Sequence, residues 1–384
     1  MSSFKAAFTE YLKKIDIVML LLALVTSGYG LLLISSAARS SGNTRLVIVQ
    51  SAAIFLGIIA YFFITLFDIE VLSQLWKWAL FLNLGLLILP LFFGTGMSTT
   101  GNNSWIRFDL FGTETGFQPA EFGKLIFIFT LARHIRILGE DLNKFKGLIP
   151  FVLHGALVTV FVYAFSKDDG MALSYIFIFF IMAFAAGLYL RYCLLGLAVV
   201  GASVPILWNF VMAQYQKDRF IVLFDAAYKL DGVGYHQFQS KRAIASGGFW
   251  GDGLYQGSIT QYGHLPAKQT DFIFTVACEE LGFFGGLFIV LLISAIIAKC
   301  VVAAISMRED RFSMLVCVGI AAMLAFQTFI NIGMNLGIAP VVGLTLPFVS
   351  YGGTSVLTMF MAIGIVSSLK SHYIKRSFTR NIYG

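Results

Sequence analysis

The sequence predicts an all-α, polytopic membrane protein of about ten transmembrane helices. Of its 384 residues, 58% are hydrophobic and only 12% are charged, and the mean hydropathy is +0.83. A soluble domain is about 45–50% apolar and about 25% charged, so this chain has too few charged groups to cover a surface that faces water. Apolar runs recur along the whole chain. Because helices that cross one bilayer pack together, we expect a single domain over residues 1–384.

Ten apolar runs have about the 17–25 residues that a helix needs to cross a bilayer core. They lie at residues 16–36, 47–67, 77–95, 119–138, 147–166, 170–190, 192–213, 271–298, 312–335 and 350–369. The first run exceeds the roughly 7–15 residues of a signal-peptide core, so we expect a retained helix. A long loop at 214–269 separates the seventh and eighth runs, and a tail at 370–384 follows the last.

The basic residues orient the bundle. An even number of spans puts both termini on one side, and if that side is cytoplasmic the short outer loops carry only Arg39, Arg45, Arg107 and Lys167. Cytoplasmic loops of membrane proteins are enriched in Lys and Arg. We therefore expect both termini and the 370–384 tail in the cytoplasm, and the 214–269 loop outside.

Composition also argues against other classes. A net charge of +7 is consistent with nucleic-acid binding in a soluble chain, but here the basic residues follow the pattern of membrane topology, so we expect no nucleic-acid partner. The four cysteines lie in or beside apolar runs without C-x-x-C spacing. They are expected to be buried thiols rather than metal ligands or disulfides.

The 214–269 loop is too long to be a simple connection, because loops of this length are usually functional or disordered. Its many aromatic residues argue against disorder, although such rings also lie flat at the headgroup level of a bilayer. The glycine-rich stretch "SGGFWGDGLYQGS" at 246–258 has no closing G-K-[ST], so it does not indicate a nucleotide site. We expect a functional site on the outer face.

Two charged residues open the fourth run, in "FQPAEFGKLIF". A charge inside a bilayer costs about 2.5–3.5 kcal/mol, so each one is a functional candidate. Glu121 and Lys124 are three residues apart and can pair on one helical face. Two interpretations stay open: a neutralising ion pair, or a charge pair that faces a polar cavity.

Other acidic residues lie at the ends of spans. Asp168 and Asp169 lie in the tight connection "FSKDDGMAL", where solvated loop charges are favoured. Asp271 begins the eighth run in "LPAKQTDFIF", where spacing alone favours capping of the helix by Thr270 or Asp271, worth about 0.3–2 kcal/mol.

Two further acidic residues, Glu279 and Glu280, lie two turns deeper in the eighth run. Glu279 is about 80° around the helix from Asp271, and Glu280 is on the opposite side. They cannot both share its face, so a two-carboxylate site within this helix is not expected.

The segment "NIGMNLGIAPVVGLTLPFVSYGGTS" at 331–355 carries no charge but concentrates Gly and Pro between two spans. Broken backbone at membrane depth is tolerated only where it is buried in protein or lines a cavity. The segment is therefore expected to be either a structural turn or a cavity wall.

Together these motifs resemble the SEDS family (shape, elongation, division and sporulation), whose members include RodA and FtsW. The resemblance spans nearly the whole chain and rests on the 331–355 segment together with "FQPAEFGK" (117–124), "YQKDR" (215–219), "GVGYHQFQSKRAIASGG" (232–248) and "TDFIFTVACEELG" (270–282). Two motifs depart from the family pattern. "SKDDG" replaces "QPDLG" around Asp168, and "LPAKQTDF" replaces "LPExHTDF", so Ala267 and Gln269 stand for Glu and His.

The resemblance implies a peptidoglycan glycosyltransferase that polymerises glycan strands from lipid II outside the cytoplasmic membrane, together with a class B penicillin-binding protein. It also implies a catalytic role for Asp271. Residues expected at the substrate are Glu121, Lys124, Asp168, Arg219, Ser240, Lys241 and Arg242.

In that chemistry a carboxylate takes the proton of an acceptor hydroxyl, and cations meet the pyrophosphate leaving group. Lys124 is our first candidate for that cation, ahead of Arg107, Arg219, Lys241, Arg242 or a divalent metal such as Mg²⁺ or Mn²⁺. No dedicated metal site is expected.

Two other functions compete with this one. A flippase or transporter for a lipid-linked precursor usually has inverted repeats and polar residues at mid-bilayer, whereas here the polar residues concentrate at one edge and in one loop. A non-catalytic scaffold would tolerate loss of Asp271. Within the family, the short tails and the Gly333–Met334 pair favour the elongation type, whereas Thr345 favours the division or sporulation types.

Overall fold

The computed structural model describes residues 15–39, 42–96, 102–110, 113–225, 228 and 232–383. Its helices are α1 (Ile17–Arg39), α2 (Arg45–Thr65), α3 (Ile69–Leu72), α4 (Trp76–Phe93), α5 (Pro119–Leu138), α6 (Phe145–Ser166), α7 (Asp169–Ala185), α8 (Leu190–Ile206), α9 (Gln214–Phe224), α10 (Val233–Gly247), α11 (Ser258–Gln261), α12 (Ile273–Ser306), α13 (Arg311–Leu336) and α14 (Gly353–Tyr383). Its strands are β1 (Gly94–Thr95), β2 (Trp105–Leu110) and β3 (Thr113–Phe117).

The predicted membrane architecture is confirmed. Among the described residues, eight helical segments are long and apolar enough to cross a membrane, with α3 and α4 forming one of them. The other two predicted spans are also helices: α5 has the length but carries four charged residues, and α7 has 17 residues. A helix satisfies its own backbone hydrogen bonds, which an apolar bilayer requires.

Helix boundaries differ from the expected spans at two places. α12 runs for 34 residues and contains a non-helical glycine, Gly282, with φ 66° and ψ −163°. α14 begins at Gly353 and continues to Tyr383, so the expected tail at 370–384 continues this helix up to Tyr383. The first residues of the tenth predicted span, 350–352, therefore lie before the helix rather than in it.

The core lies among six packed helices. α13 packs against α12, α7 and α5, while α14 packs along α2. Phe127, Tyr175, Met323 and Phe360 are completely buried in this core. In contrast, Cys193 is the single buried residue of α8, so this helix turns nearly all of its side chains outward.

A small antiparallel sheet, which the sequence did not predict, occupies part of the 96–118 connection. β2 pairs with β1 on one side and β3 on the other, with Thr95 opposite Trp105 and Ile106 opposite Phe117. Gly116 lies under the Trp105 ring, where a Cβ would approach a ring carbon to 2.8 Å. The hairpin therefore needs glycine at this position.

The described part of the long 214–269 loop is built mainly from three helices. α10 packs against both α12 and α13, and α9 and α11 pack against α10. Phe249 and Trp250, which follow α10, are 68% and 81% exposed and contact Phe283 and Phe284 of α12. These rings fit the expected position of aromatic residues at a bilayer interface.

The two ends of the bundle are distinct. At one end, Asp16 before α1 pairs with Lys299 near the end of α12 (2.7 Å) and with Lys370 of α14 (3.0 Å). At the other end, α10 packs against α12, which begins just after Asp271, and α9 and α11 pack against α10. We call these the Asp16 end and the Asp271 end.

Candidate active site

Asp271 lies in a tight turn just before α12. The carbonyl oxygen of Ala267 accepts hydrogen bonds from the backbone N–H groups of Thr270 (3.1 Å), Asp271 (3.1 Å) and Phe272 (3.2 Å). Ala267 itself has a φ of 52°, which non-glycine residues rarely adopt. The turn thus closes on one carbonyl group and fixes the backbone that carries Asp271.

The expected helix cap does not form. Phe272 is the N-cap of α12 and makes no side-chain capping bond. The hydroxyl of Thr270 donates instead to Ala267 O at 3.2 Å. The capping interpretation is therefore wrong for both Thr270 and Asp271, and the Asp271 carboxylate is not committed to the helix terminus.

Two asparagines of α13 hold the Asp271 backbone. The side-chain amides of Asn331 and Asn335 donate to the carbonyl oxygen of Asp271 at 3.0 and 2.9 Å. Asn335 also accepts a hydrogen bond from the hydroxyl of Thr275 at 2.5 Å. Both asparagines are completely buried. Sequence reasoning did not single them out, although two amides four residues apart in an apolar helix are a signal for such a contact.

The broken segment before α14 packs directly against this turn, as expected for backbone buried in protein. The Ser350 hydroxyl donates to Thr270 O at 2.6 Å, and Tyr351 N donates to Gln269 O at 2.8 Å. Gly343 has a φ of 71°, and a Cβ there would lie 3.7 Å from Oδ2 of Asp271. The segment is thus both a structural turn and the wall beside the carboxylate.

Asp271 is partly exposed, and its electrostatic environment links it to two other residues. Desolvation raises the pKa of Asp271 to about 6, and the negative charge of Asp168 adds to this increase. A hydrogen bond from Thr270 and the positive charge of Arg219 act in the opposite direction on the pKa. Asp168 and Arg219 are therefore near enough for their charges to act on Asp271.

Asp168 is buried, so the interpretation of Asp168 as a solvated loop charge is wrong. Its carboxylate caps α7 by accepting from Met171 N at 3.0 Å, and Gln118 Nε2 lies 3.4 Å from its other oxygen. Burial raises the pKa of Asp168 to about 6. Lys167, in the left-handed region with a φ of 52°, makes the turn that carries Asp168 inward.

Arg219 supplies positive charge to the site. It lies on α9 with its guanidinium 5.5 Å from the ring centroid of Tyr215. Its charge acts on Asp168, Asp169 and Asp271. Asp169 accepts two hydrogen bonds of 2.7 Å from Gln216, also on α9. This helix therefore connects the long loop to the beginning of α7.

Glu121 and Lys124 form an ion pair of 3.0 Å, and both side chains are completely buried. Gln327 of α13 donates to the same carboxylate at 3.3 Å. This arrangement fits the interpretation of Glu121 and Lys124 as a neutralising ion pair. Glu121 Oε2, Gln327 Oε1 and Asn83 Oδ1 are buried without a protein partner, which is the usual setting of an internal water. Direct contact of Lys124 with a pyrophosphate stays a prediction.

The remaining candidates lie on α10. Ser240 is completely buried, and its hydroxyl bonds with Thr275 Oγ1 (2.5 Å) and Asn335 O (2.8 Å). It holds α10 to the Asp271 region. Lys241 lies beside the backbone of Gly337, and Arg242 is exposed and lies over the Phe238 ring.

Glu279 and Glu280 point to different elements, as their helical spacing predicts. Glu279 accepts from Ile259 N (2.6 Å) and Thr260 N (3.0 Å) of α11, whereas Glu280 accepts from Ser36 of α1 (2.6 Å). Both carboxylates are completely buried. They secure the long loop to the bundle.

No group of three or more His, Cys, Asp and Glu residues is arranged to hold a metal ion in the part of the chain that the structure describes. Arg107, the remaining cation candidate, is exposed on β2. The charged residues of the candidate site are Asp271 in the turn before α12, Asp168 at the N-cap of α7, and Arg219 on α9.

The family model described as "Cell cycle protein", for FtsW, RodA and SpoVE proteins, matches residues 15–375. The chain belongs to this family. It is the SEDS family that the sequence motifs resemble, and the match covers every helix described above except the last residues of α14.

Named relatives share much of the chain. Stage V sporulation protein E of Bacillus subtilis (strain 168) is 34% identical over 320 residues, which are 83% of this chain and 84% of that protein. Peptidoglycan glycosyltransferase MrdB of Escherichia coli (strain K12) is 35% identical over 286 residues, or 72% of this chain and 73% of that protein.

Two solved structures share the fold. One comes from work on the coordination of polymerization and crosslinking by a peptidoglycan synthase complex; it has a TM-score of 0.76, 27% identity, and coverage of 94% of this chain and 98% of that chain. The other, Thermus thermophilus rod shape determining protein RodA, has a TM-score of 0.66, 26% identity, and coverage of 93% and 96%.

Proposed function

We propose that this SEDS protein polymerises peptidoglycan glycan strands from lipid II at the outer face of the cytoplasmic membrane, with Asp271 as the general base. The glycosyltransferase activity follows from the family and from relatives named peptidoglycan glycosyltransferases. The observation that carries the residue assignment is a partly exposed carboxylate on a fixed backbone, within the electrostatic influence of Arg219.

The reaction joins an acceptor sugar hydroxyl to the anomeric carbon of a lipid-linked donor. A new C–O bond forms while the C–O bond to the pyrophosphate breaks, and the hydroxyl proton passes to Asp271. A positioned base contributes about 10²–10⁴-fold to such a step. With a pKa of about 6, Asp271 is mostly ionised at neutral pH and is a stronger base than an ordinary aspartate.

The pyrophosphate leaving group requires positive charge. We assign this role first to Arg219, because its charge already acts on Asp271 and Asp168. Lys241 and Arg242 lie on the neighbouring helix α10. Lys124 joins them only if its buried position opens to the substrate. A Mg²⁺ or Mn²⁺ ion would enter with the pyrophosphate, since such ions are often held by substrate phosphates and only one or two carboxylates.

We place the Asp271 end outside and the Asp16 end in the cytoplasm, with both termini cytoplasmic. The basic residues support this orientation: Lys77, Arg136, Lys144, Arg311 and Lys370 all belong to the predicted cytoplasmic side. A class B penicillin-binding protein is the proposed partner. A similar fold within a synthase complex of polymerization and crosslinking supports this choice.

The decisive experiment compares Asp271→Asn with the unchanged chain in lipid bilayers that contain lipid II. We expect the variant to lose glycan polymer while keeping its thermal unfolding temperature. Asp252→Asn is the matched control. It changes an exposed aspartate of the 214–269 loop and should polymerise normally. Polymer of normal yield from folded Asp271→Asn would overturn the assignment. Movement of labelled lipid II across the bilayer without polymer would favour a flippase instead.

A further inference from the structure

A chain of buried polar contacts leads from α12 through α11 to the Asp271 turn. It begins at Glu279, whose two carboxylate oxygens accept from Ile259 N at 2.6 Å and Thr260 N at 3.0 Å. These N–H groups open α11, and a Cβ at Gly257 would come within 2.7 Å of Oε2 of Glu279. The carboxylate is therefore enclosed by the backbone that it binds.

Lys268 completes the contact from the other side. Its side chain is only 7% exposed, and its ammonium group donates to the carbonyl oxygen of Thr260. Thr260 thus gives its N–H to Glu279 and its carbonyl group to Lys268. Hydrogen bonds linked in this way polarise one another in a low-dielectric interior. Burial lowers the pKa of Lys268, while the charges of Glu280 and Glu279 raise it.

Lys268 lies inside the turn that carries Asp271. Its neighbour Ala267 provides the carbonyl group on which the turn closes, and its other neighbour, Gln269, accepts from Tyr351 N at 2.8 Å. A shift of Lys268 consequently moves the peptide groups that place Asp271. Lys268 lies between Ala267 and Gln269, which both depart from the family pattern in this motif.

We propose that Lys268 and Glu279 are positioning residues, which hold α11 between them and thereby set how deeply the Asp271 carboxylate lies in the site. The inference rests on the proposed role of Asp271 as the base. It adds that the base depends on a lysine and a glutamate that are linked through the backbone of Thr260 rather than by direct contact.

A purely stabilising role makes a different prediction. If Lys268 only stabilises the fold, its loss reduces the amount of folded protein but leaves the properties of Asp271 unchanged. If Lys268 sets the depth of Asp271, its loss lets more water reach the partly exposed carboxylate. The desolvation that raises the pKa of Asp271 then decreases, while Asp168, Arg219 and Thr270 remain around it.

The test measures polymerisation of lipid II against pH for the full chain in lipid bilayers. Lys268→Met keeps the apolar part of the side chain and removes the ammonium group. We expect kcat to fall by up to about 100-fold, as small misplacements of a catalytic group do, with little change in KM. We also expect the acidic limb of the pH–rate profile to move below pH 6. Lys268→Arg keeps a positive charge at this position, so its acidic limb should return to that of the unchanged chain.

Lys144→Met, which removes an exposed lysine at the Asp16 end, is the control and should match the unchanged chain. If Lys268→Met does not fold, Glu279→Gln tests the same contact, because an amide NH2 donor replaces one of the two carboxylate oxygens that accept the N–H groups of Ile259 and Thr260. If either variant folds and has the same acidic limb, kcat and KM as the unchanged chain, the inference is overturned. The proposed function fails separately, if Asp271→Asn retains activity.

Discussion

The side-chain amide of Asn335 donates to the carbonyl oxygen of Asp271 at 2.9 Å, across 64 residues of sequence. The oxygen of the same side-chain amide accepts a hydrogen bond from the backbone N–H of Thr275 at 3.2 Å. One buried side chain therefore bridges α13, the Asp271 turn and the first turn of α12. This arrangement places the base by hydrogen bonds to its backbone and leaves the carboxylate for substrate.

We predict that Asn335→Leu lowers both stability and activity. It leaves the Asp271 carbonyl one donor short and removes one acceptor from Thr275, and an unsatisfied buried polar group costs about 1–3 kcal/mol. Polymer synthesis should fall more steeply than stability, since the turn moves. Thr328→Val on the same helix, which removes only a bond to Leu324 O, is the control. Thermal unfolding and kcat, measured on the same preparations, separate the two effects.

Polymerisation should depend on pH through Asp271. The base works in its ionised form, and its pKa of about 6 means that activity falls as pH drops through 6. At pH 5 about one tenth of the carboxylate is ionised, so the rate should be about one tenth of that at pH 7. Asp168→Asn removes a negative charge that raises this pKa, so its acidic limb should lie at lower pH. An unchanged limb in Asp168→Asn would contradict the coupling.

Stability should show the opposite dependence on pH. Asp168 and Asp271 have folded pKa values of about 6, above their ordinary value of 3.8. Between these values the folded chain binds more protons than the unfolded chain, so unfolding free energy declines as pH rises from about 4 to 6. The unfolding temperature of the unchanged chain should fall over this window relative to that of Asp271→Asn.

Sequence reasoning predicted the bundle well because membrane helices follow from composition and length alone. All ten predicted spans are helices, although α5 and α7 do not meet the criterion of length and low charge that the others meet. The sheet at 94–117 was not predicted, because strands of two to six residues leave little periodic signal in the sequence. The end of α12 was also missed. The predicted span ends at residue 298, but the helix continues beyond the thickness of the bilayer to Ser306.

The site was only partly accessible from sequence. Asp271 was found, but its helix-capping interpretation was wrong because the turn closes on Ala267 O before α12 begins. Asp168 is buried beside Gln118, fifty residues away in the sequence. Local spacing carries no information about contacts of this length. The amides of Asn331 and Asn335 likewise acquire meaning only once α13 packs against the turn.

The orientation of the bundle can be tested with added cysteines. The four natural cysteines are all buried, so they should react slowly with a membrane-impermeant thiol reagent. We expect Asp252→Cys, at an exposed position of the 214–269 loop at the Asp271 end, to be labelled in intact cells. Lys144→Cys should be labelled only after the membrane is opened. Labelling of Lys144→Cys in intact cells would contradict the proposed topology.

The buried pair of Glu121 and Lys124 offers the test of whether Lys124 acts on the pyrophosphate. Lys124→Met leaves the Glu121 carboxylate buried without its cation, which costs about 3–5 kcal/mol. Adding Glu121→Gln removes that charge, and the double variant should regain most of the lost stability, since a neutral pair avoids the desolvation of both ions. Unfolding temperatures of the two single variants and the double variant measure this coupling.

Activity of the same double variant then decides the role of the lysine. If the pair is only a neutralising contact, polymer synthesis returns together with stability, because Gln327 can still bond to residue 121. If Lys124 meets the leaving group, the double variant folds but its kcat stays low. Lys124→Arg in the unchanged background distinguishes charge from shape: a cation that reaches substrate retains part of its activity as arginine, whereas a completely buried site has no room for the larger side chain. Because Arg219 is our first candidate for the pyrophosphate, we expect activity to return in the double variant.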